Sequence, residues 1–385
     1  MSAGEQDKAN QNDCSASSSR IELTADCCGG PADSAHYKTT GSWTSGVVHT
    51  AIGDVLKVRT DLTLRDRLGH WMVRWNMGRM RFAIAPGLYA VGNPTRESPV
   101  FVSANFKMSF DRLRVALADR DGWIMVLDTK GINVWCAAGK GTFGTLEIVG
   151  RIAATRLREV VSHRNLIVPQ LGATGVRAHE VRKFAGFTVH YGPVRASDLS
   201  AYLDSGMKAT PEMRRVRFDL RDRLPLVPIE LISWGKWALL VAFAMALLGG
   251  LGSGWYSWDR VLARGLLMFW AVIGGLVAGT VLTPALLPWL PGRAFALKGT
   301  WAGVICLLVF GVAMAFRPGL TSGLPDMAAG VLIVLTIASF TAMNFTGAST
   351  YTSLSGVRKE MRAAVPVQSV AGVVGLGLWI VARFV

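Results

Sequence analysis

Trp123-Ile124-Met125-Val126-Leu127, followed at Asn133-Val134-Trp135-Cys136-Ala137-Ala138-Gly139-Lys140, is the stretch that decides the fold. The first five residues form an unbroken apolar run of strand length, the pattern of a strand buried on both faces. Asn133 is a good helix N-cap, and the small residues after it suit a short helix. Outward from this pair the alternation repeats. Val100-Phe101-Val102-Ser103-Ala104 reads as a strand and Phe110 to Ala118 as a helix. Leu146 to Val161 has helical spacing, Leu166-Ile167-Val168-Pro169 is a third strand, and Val176 to Phe184 is helical. Phe187 to Tyr191 is a fourth strand and Ala196 to Leu203 a further helix. Strands alternating with helices of this length predict right-handed crossovers and a mostly parallel sheet. Ligands of such sheets sit at the carboxyl ends of the strands, the edge from which the Asn133 to Gly144 segment departs.

The pattern predicts a Rossmann-like α/β domain over residues 99–212. Residues 1–45 lack hydrophobic periodicity and read as a disordered tail, and 46–98 as a lead-in holding the amphipathic stretch Leu62 to Met77. Residues 213–230 form an Arg-rich linker with Pro225 and Pro228. Residues 231–385 read as an all-α transmembrane domain of about five helices, near Leu231–Leu251, Val261–Leu282, Thr300–Phe316, Ala328–Asn344 and Val367–Val385. The third and fourth segments are the shortest. Arg214, Arg215, Arg217, Arg221, Arg223, Arg293, Lys298, Arg358, Lys359 and Arg362 all fall on one side of five spans. The positive-inside rule then predicts a multi-pass protein of the cytoplasmic membrane with the α/β domain in the cytoplasm. The first residues hold no signal-peptide-like apolar core, which agrees with a domain that is not exported.

The net charge of +15 is spread over helix faces and loop ends rather than gathered in one tract. A surface facing anionic lipid accounts for it, and no nucleic-acid partner is expected. Ionisable residues are nearly absent within the apolar segments, which argues against an ion-coupled transporter. The five cysteines are Cys14, Cys27, Cys28, Cys136 and Cys306. Their odd count and irregular spacing predict free thiols in a reducing compartment.

Cys136 falls in the first turn after Asn133, where the helix dipole and unpaired N–H groups favour a thiolate. A thiolate is a soft, strong donor to a transition metal. A small buried apolar residue is the plain alternative, and the residues alone leave both open. Gly139, Gly141 and Gly144 spell G-x-G-x-x-G before a helix, with Glu159 downstream. A Trp-Cys segment separates this string from its strand, however, and Glu159 lies within a helix, so the dinucleotide fingerprint is not met.

The octapeptide Asn133 to Lys140 resembles the signature of the membrane-anchored corrinoid proteins that methylate inorganic mercury, at all eight positions. Asp128 to Ile132, Pro169 to Val176, Tyr191 to Ala196 and the stretch Asn344 to Met361 also resemble that family. The first three of these segments resemble the related corrinoid iron–sulfur protein of acetyl-CoA synthesis as well. Ser103 stands where the family is expected to carry Thr. The resemblance implies a cobalamin-type corrinoid, with Cys136 as lower axial ligand of cobalt and sole catalytic residue. Asn133, Val134, Trp135, Ala137, Ala138, Gly139, Lys140 and Ser103 complete the implied cofactor-binding set. A thiolate opposite a cobalt-bound methyl group pushes electron density onto the metal and eases transfer of that group to Hg(II). The methyl donor implied is methyl-tetrahydrofolate or a methyl donor protein. The electron donor implied is a separate ferredoxin with two 4Fe–4S clusters, since this chain has no ferredoxin-type Cys run. Such chemistry belongs to anaerobic metabolism. Cys27 and Cys28 are a candidate pair for capturing Hg(II), or two ordinary thiols. Two competing functions are a corrinoid methyl carrier of one-carbon and acetyl-CoA metabolism, and a non-enzymatic membrane sensor of cobalamin or a nucleotide.

Overall fold

The computed structural model describes residues 37–315, 323–345 and 354–384. Cys27 and Cys28, most of the expected tail, and positions 346–353 of the connector before the last helix lie outside the described residues. One seven-stranded sheet organises the first half of the chain. Its strands are β1 (Thr44–Thr50), β2 (Gly53–Val58), β3 (Gly87–Val91), β4 (Val100–Ala104), β5 (Gly122–Leu127), β6 (Asn165–Val168) and β7 (Thr188–Tyr191), in the order β1-β2-β3-β5-β4-β6-β7. The four strands expected from the sequence form a wholly parallel block, β5-β4-β6-β7. The segment expected as a lead-in supplies the other three strands. β3 joins β5 antiparallel, and the β1–β2 hairpin extends the sheet beyond β3. The sheet therefore begins at Thr44, and residues 46–98 are continuous with the α/β domain expected to start at 99. Trp43, inside the expected tail, is buried against Tyr89 and Phe110.

Helices cover both faces, in line with strands that are apolar on both sides. In chain order they are α1 (Leu64–Arg74), α2 (Lys107–Ala116), α3 (Val134–Lys140), α4 (Thr145–Ala154), α5 (Leu157–Val160), α6 (Ala178–Ala185) and α7 (Leu199–Asp204). Val100, Val102, Ala104, Met125 and Leu127 pack with Ile148, Val149 and Val181 on one face. Phe101, Ile124 and Val126 pack with Phe110, Leu199 and Tyr202 on the other. From β4 the chain passes through α2 to β5 on one side. It then returns past β4 to β6 on its other side. This reversal is a topological switch point, and it leaves a crevice at the carboxyl ends of β4 and β6.

Among the described residues, five apolar helices follow the α/β half: Leu220–Leu248, Trp258–Leu286, Phe295–Ala313, Leu324–Asn344 and Gly356–Val381, each long and apolar enough to cross a bilayer. The third and fourth, the shortest apolar segments in the sequence, reach 19 and 21 residues. Glu360 of the last helix accepts a hydrogen bond from the N–H of Ala296, 2.6 Å away, in the first turn of the third. Ser339 and Gln368 are hydrogen-bonded between the fourth and fifth. Asn76, just after α1, donates its amide to the Ser233 hydroxyl of the first apolar helix at 3.4 Å, which joins the two halves.

Candidate functional site

The turn between β5 and α3 is built by one buried amide. Asn105, fully buried at the end of β4, accepts hydrogen bonds at Oδ1 from Thr129 N (3.2 Å), Thr129 Oγ1 (2.8 Å) and Gly131 N (2.9 Å). Its Nδ2 donates to Asp128 at 3.3 Å. The backbone N–H of Asp128 donates to Glu147 of α4 at 2.8 Å. Lys130 and Gly131 both adopt positive φ, and a Cβ on Gly131 would come within 3.3 Å of the Met80 carbonyl. Burial raises the Asp128 carboxyl, but bonds from Lys130 outweigh it and hold the group below its ordinary range.

This turn delivers Asn133 to the N-cap of α3, where its side chain accepts from the N–H of Cys136 at 2.9 Å. Cys136 therefore lies in the first turn, as its spacing from Asn133 predicts. The thiol is free and half-buried. Val134, Ala137 and Ala138 face the core, while Trp135, Gly139 and Lys140 are exposed. The expected binding set is thus divided. Ala137 and Ala138 anchor the helix, and Gly139 and Lys140 stand at its far end. Gly141 ends α3 with φ +83°, and a Cβ on Gly144 would meet the Gly141 carbonyl at 2.8 Å. The G-x-G string is accounted for as a helix stop followed by a tight turn. A Cβ on Gly175 would come within 2.2 Å of the Phe143 carbonyl and 3.0 Å of Ala138, so the loop after β6 lies directly against α3.

A cleft of about 650 Å³ opens at the carboxyl ends of β4 and β6. Ser103, Phe106, Asn133, Val134, Trp135 and Pro169 are among its walls, with Arg112 and Arg195 also contributing. Cys136, the next residue along, is beside this cleft rather than in its wall. Ser103 is buried, and its hydroxyl lies 3.4 Å from the Ala104 carbonyl. Arg79, a residue outside the expected set, sits with its guanidinium 5.4 Å over the Phe106 ring. Burial lowers its pKa, and a thiolate at Cys136 would act in the opposite direction. Arg79 and Cys136 are thus electrostatic neighbours. No local signal marks Arg79, because the pairing joins segments far apart in the chain.

Among the described residues, no three His, Cys, Asp or Glu side chains gather as a metal-ion site. A single soft donor beside a largely apolar cleft would suit a metal whose remaining ligands come from the cofactor itself, and the residues present fit a corrinoid on that ground. Cys306, the other free thiol described, lies in the third apolar helix, 3.5 Å from the Gly274 carbonyl, as a helix-packing residue.

Residues 77–203 match the family described as CO dehydrogenase/acetyl-CoA synthase delta subunit. The chain is similar to the acetyl-CoA decarbonylase/synthase complex subunit gamma of Archaeoglobus fulgidus, with 30% identity over 123 residues, 31% of this chain and 26% of that protein. The gamma subunit of Methanopyrus kandleri is 32% identical over the same shares. That of Methanocaldococcus jannaschii is 30% identical over 153 residues, 39% of this chain and 30% of its own length. The chain therefore spans 26–30% of the length of these curated relatives. The family match is confined to the α/β half, from just after α1 to the end of α7, and contains Cys136 and the cleft.

Proposed function

We propose that this protein is a membrane-anchored, corrinoid-dependent methyltransferase in which Cys136 would hold the cobalt of the cofactor and Hg(II) would be the methyl acceptor. The observation that carries the corrinoid reading is the position of Cys136. It is a half-buried thiol in the first turn of a capped helix, at the carboxyl edge of a switch point, beside a cleft of about 650 Å³. When bound, a corrinoid supplies a cobalt atom that takes up and releases a methyl group. The chain's own part is to hold Cys136 Sγ in place through Asn133 and to hold the preceding turn through Asn105. Phe101, Val102, Val134 and Leu171 give the cleft apolar walls that limit water. The similarity to subunits named for acetyl-CoA decarbonylase/synthase supports the corrinoid reading. The choice of Hg(II) rests on the resemblance of Asn133 to Lys140 to the mercury-methylating signature.

A second reading is favoured by the comparisons themselves: a corrinoid methyl carrier of one-carbon and acetyl-CoA metabolism, for which Hg(II) is an incidental acceptor. Under either reading the methyl donor is of the methyl-tetrahydrofolate type, and a separate ferredoxin with two 4Fe–4S clusters supplies electrons. The five apolar helices support a multi-pass membrane protein, and the basic residues flanking them support a cytoplasmic α/β domain.

The test is anaerobic reconstitution of the full chain with methylcobalamin, followed by the visible spectrum and methylmercury formation on addition of Hg(II). Turnover with Hg(II) that exceeds transfer to acetyl-CoA synthase supports the first reading, and the reverse order supports the second. Failure to bind the corrinoid overturns both.

A further inference from the structure

Helix α1 is amphipathic with its polar side turned inward. Asp66, His70 and Val73 are buried, whereas Leu64, Leu68, Trp71 and Met72 are 79%, 63%, 56% and 46% exposed. At 100° per residue these four and Trp75 share one arc. Trp71 and Trp75 pair on it with ring centroids 5.6 Å apart. The inward side is fixed by an ion network. Lys107 Nζ lies 2.7 Å from both Asp66 and Asp111, and Arg114 lies 2.9 Å from Asp66 and 2.7 Å from Asp111. His70 Nε2 lies 2.7 Å from Asp111. Rotating α1 to hide its apolar stripe would strand these charges, so the stripe stays outside.

Two observations identify what it meets. Arg65 flanks the stripe on one side and Arg67 on the other, both exposed, an arrangement that suits anionic headgroups with the apolar arc beneath them. The end of α1 also abuts the first apolar helix, since Asn76 reaches Ser233 at 3.4 Å, next to Trp234 and close to Trp237. Those tryptophans bracket Lys236, the last charged residue before the unbroken apolar run Ala238 to Leu248 of that helix, a boundary of the kind where interfacial aromatics collect.

We propose that α1 lies in the interface of an anionic bilayer, with Leu64, Leu68, Trp71 and Trp75 in the outer acyl region and Arg65 and Arg67 on headgroup phosphates. This makes a second membrane contact besides the five helices and fixes the height and tilt of the cleft above the lipid. The inference rests on the membrane reading of those helices and is independent of the cofactor.

The experiment uses the full chain carrying an environment-sensitive fluorescent amino acid, inserted by amber suppression at position 68, 97 or 237. Each protein is placed in nanodiscs of phosphatidylethanolamine with or without phosphatidylglycerol, and quenching by nitroxide-labelled lipid is read. Position 68 is expected to be quenched to an extent comparable with 237 and several-fold more than 97. Phosphatidylglycerol should increase this quenching, and Arg65→Gln with Arg67→Gln should abolish the increase. Quenching at 237 with 68 no different from 97 overturns the proposal. A probe at 68 that is shielded equally in detergent and in nanodiscs, without quenching, overturns it in favour of a protein neighbour. Absence of quenching at 237 overturns the membrane reading and this inference with it.

Discussion

The side-chain oxygen of Asn133 accepts the backbone N–H of Cys136 at 2.9 Å, so the residue that caps the helix also fixes the backbone beneath the thiol. Cap and thiol are thereby one unit: loosening the first turn moves the sulfur.

Asn133→Ala is expected to destabilise the α/β domain by about 1 kcal/mol, the usual worth of such a cap. Corrinoid-dependent methyl transfer should fall with it, and Asn133→Ser should recover most of both. Chemical denaturation of the full chain alongside turnover assays checks this. Equal loss in the Ala and Ser variants would show that the amide itself, not the cap, is needed.

Cys136→Ala is expected to leave stability within about 1 kcal/mol, because the thiol is half-buried and makes no cavity of note. Methyl transfer to Hg(II) should drop to background, and the visible spectrum of the bound corrinoid should shift. Cys136→His should restore part of the activity if any good axial donor serves. Full activity in the Ala variant would remove the sulfur from the chemistry.

Asn105→Ala removes the acceptor of three hydrogen bonds that order the turn before α3. Leaving such buried donors unmet costs about 1–3 kcal/mol. If Cys136 holds cobalt as proposed, activity should fall by about ten-fold, as for a group that orients a metal ligand. Hydrogen exchange of the Thr129 and Gly131 amides reports whether the turn has loosened.

Arg114→Met leaves Asp66 and Asp111 short of a buried partner and should cost about 3–5 kcal/mol at neutral pH. Burial raises both carboxyls, but hydrogen bonds and charge outweigh it, from Lys107 above all for Asp66 and from His70 first for Asp111. Both pKa values are depressed, so their stabilisation is present above the unfolded value of about 4 and is lost as pH falls through the folded values. The gap between wild type and variant should shrink below about pH 4. Thermal unfolding of both proteins between neutral and acidic pH checks the sign.

Cys27→Ser with Cys28→Ser is expected to reduce methylmercury formation only at limiting Hg(II), if these thiols capture the metal. Unchanged turnover under that condition would make them ordinary thiols.

The features legible in the sequence alone are local ones. The apolar runs of β4 to β7, the Asn133 cap and the five long apolar helices each depend on residues close together in the chain, so periodicity and cap chemistry reveal them. The hairpin β1–β2 and strand β3 were not legible as part of the sheet. The place of β3 depends on pairing with β5, whose residue Trp123 meets Ala90 across the ladder, and that of the hairpin on pairing with β3. Arg79 beside Cys136 is a long-range meeting of the same kind.

Helix α1 shows the division most sharply. Sequence by itself determined that Leu62 to Met77 has an apolar side and a polar side. It had no means of saying which side faces the domain, since hydrophobic periodicity measures contrast and not direction. Tertiary structure decided the direction, because Asp66 and His70 find their partners on α2, at Lys107, Asp111 and Arg114. Buried charges are stable only when paired, so the ion network, and not the apolar stripe, sets the orientation of the helix.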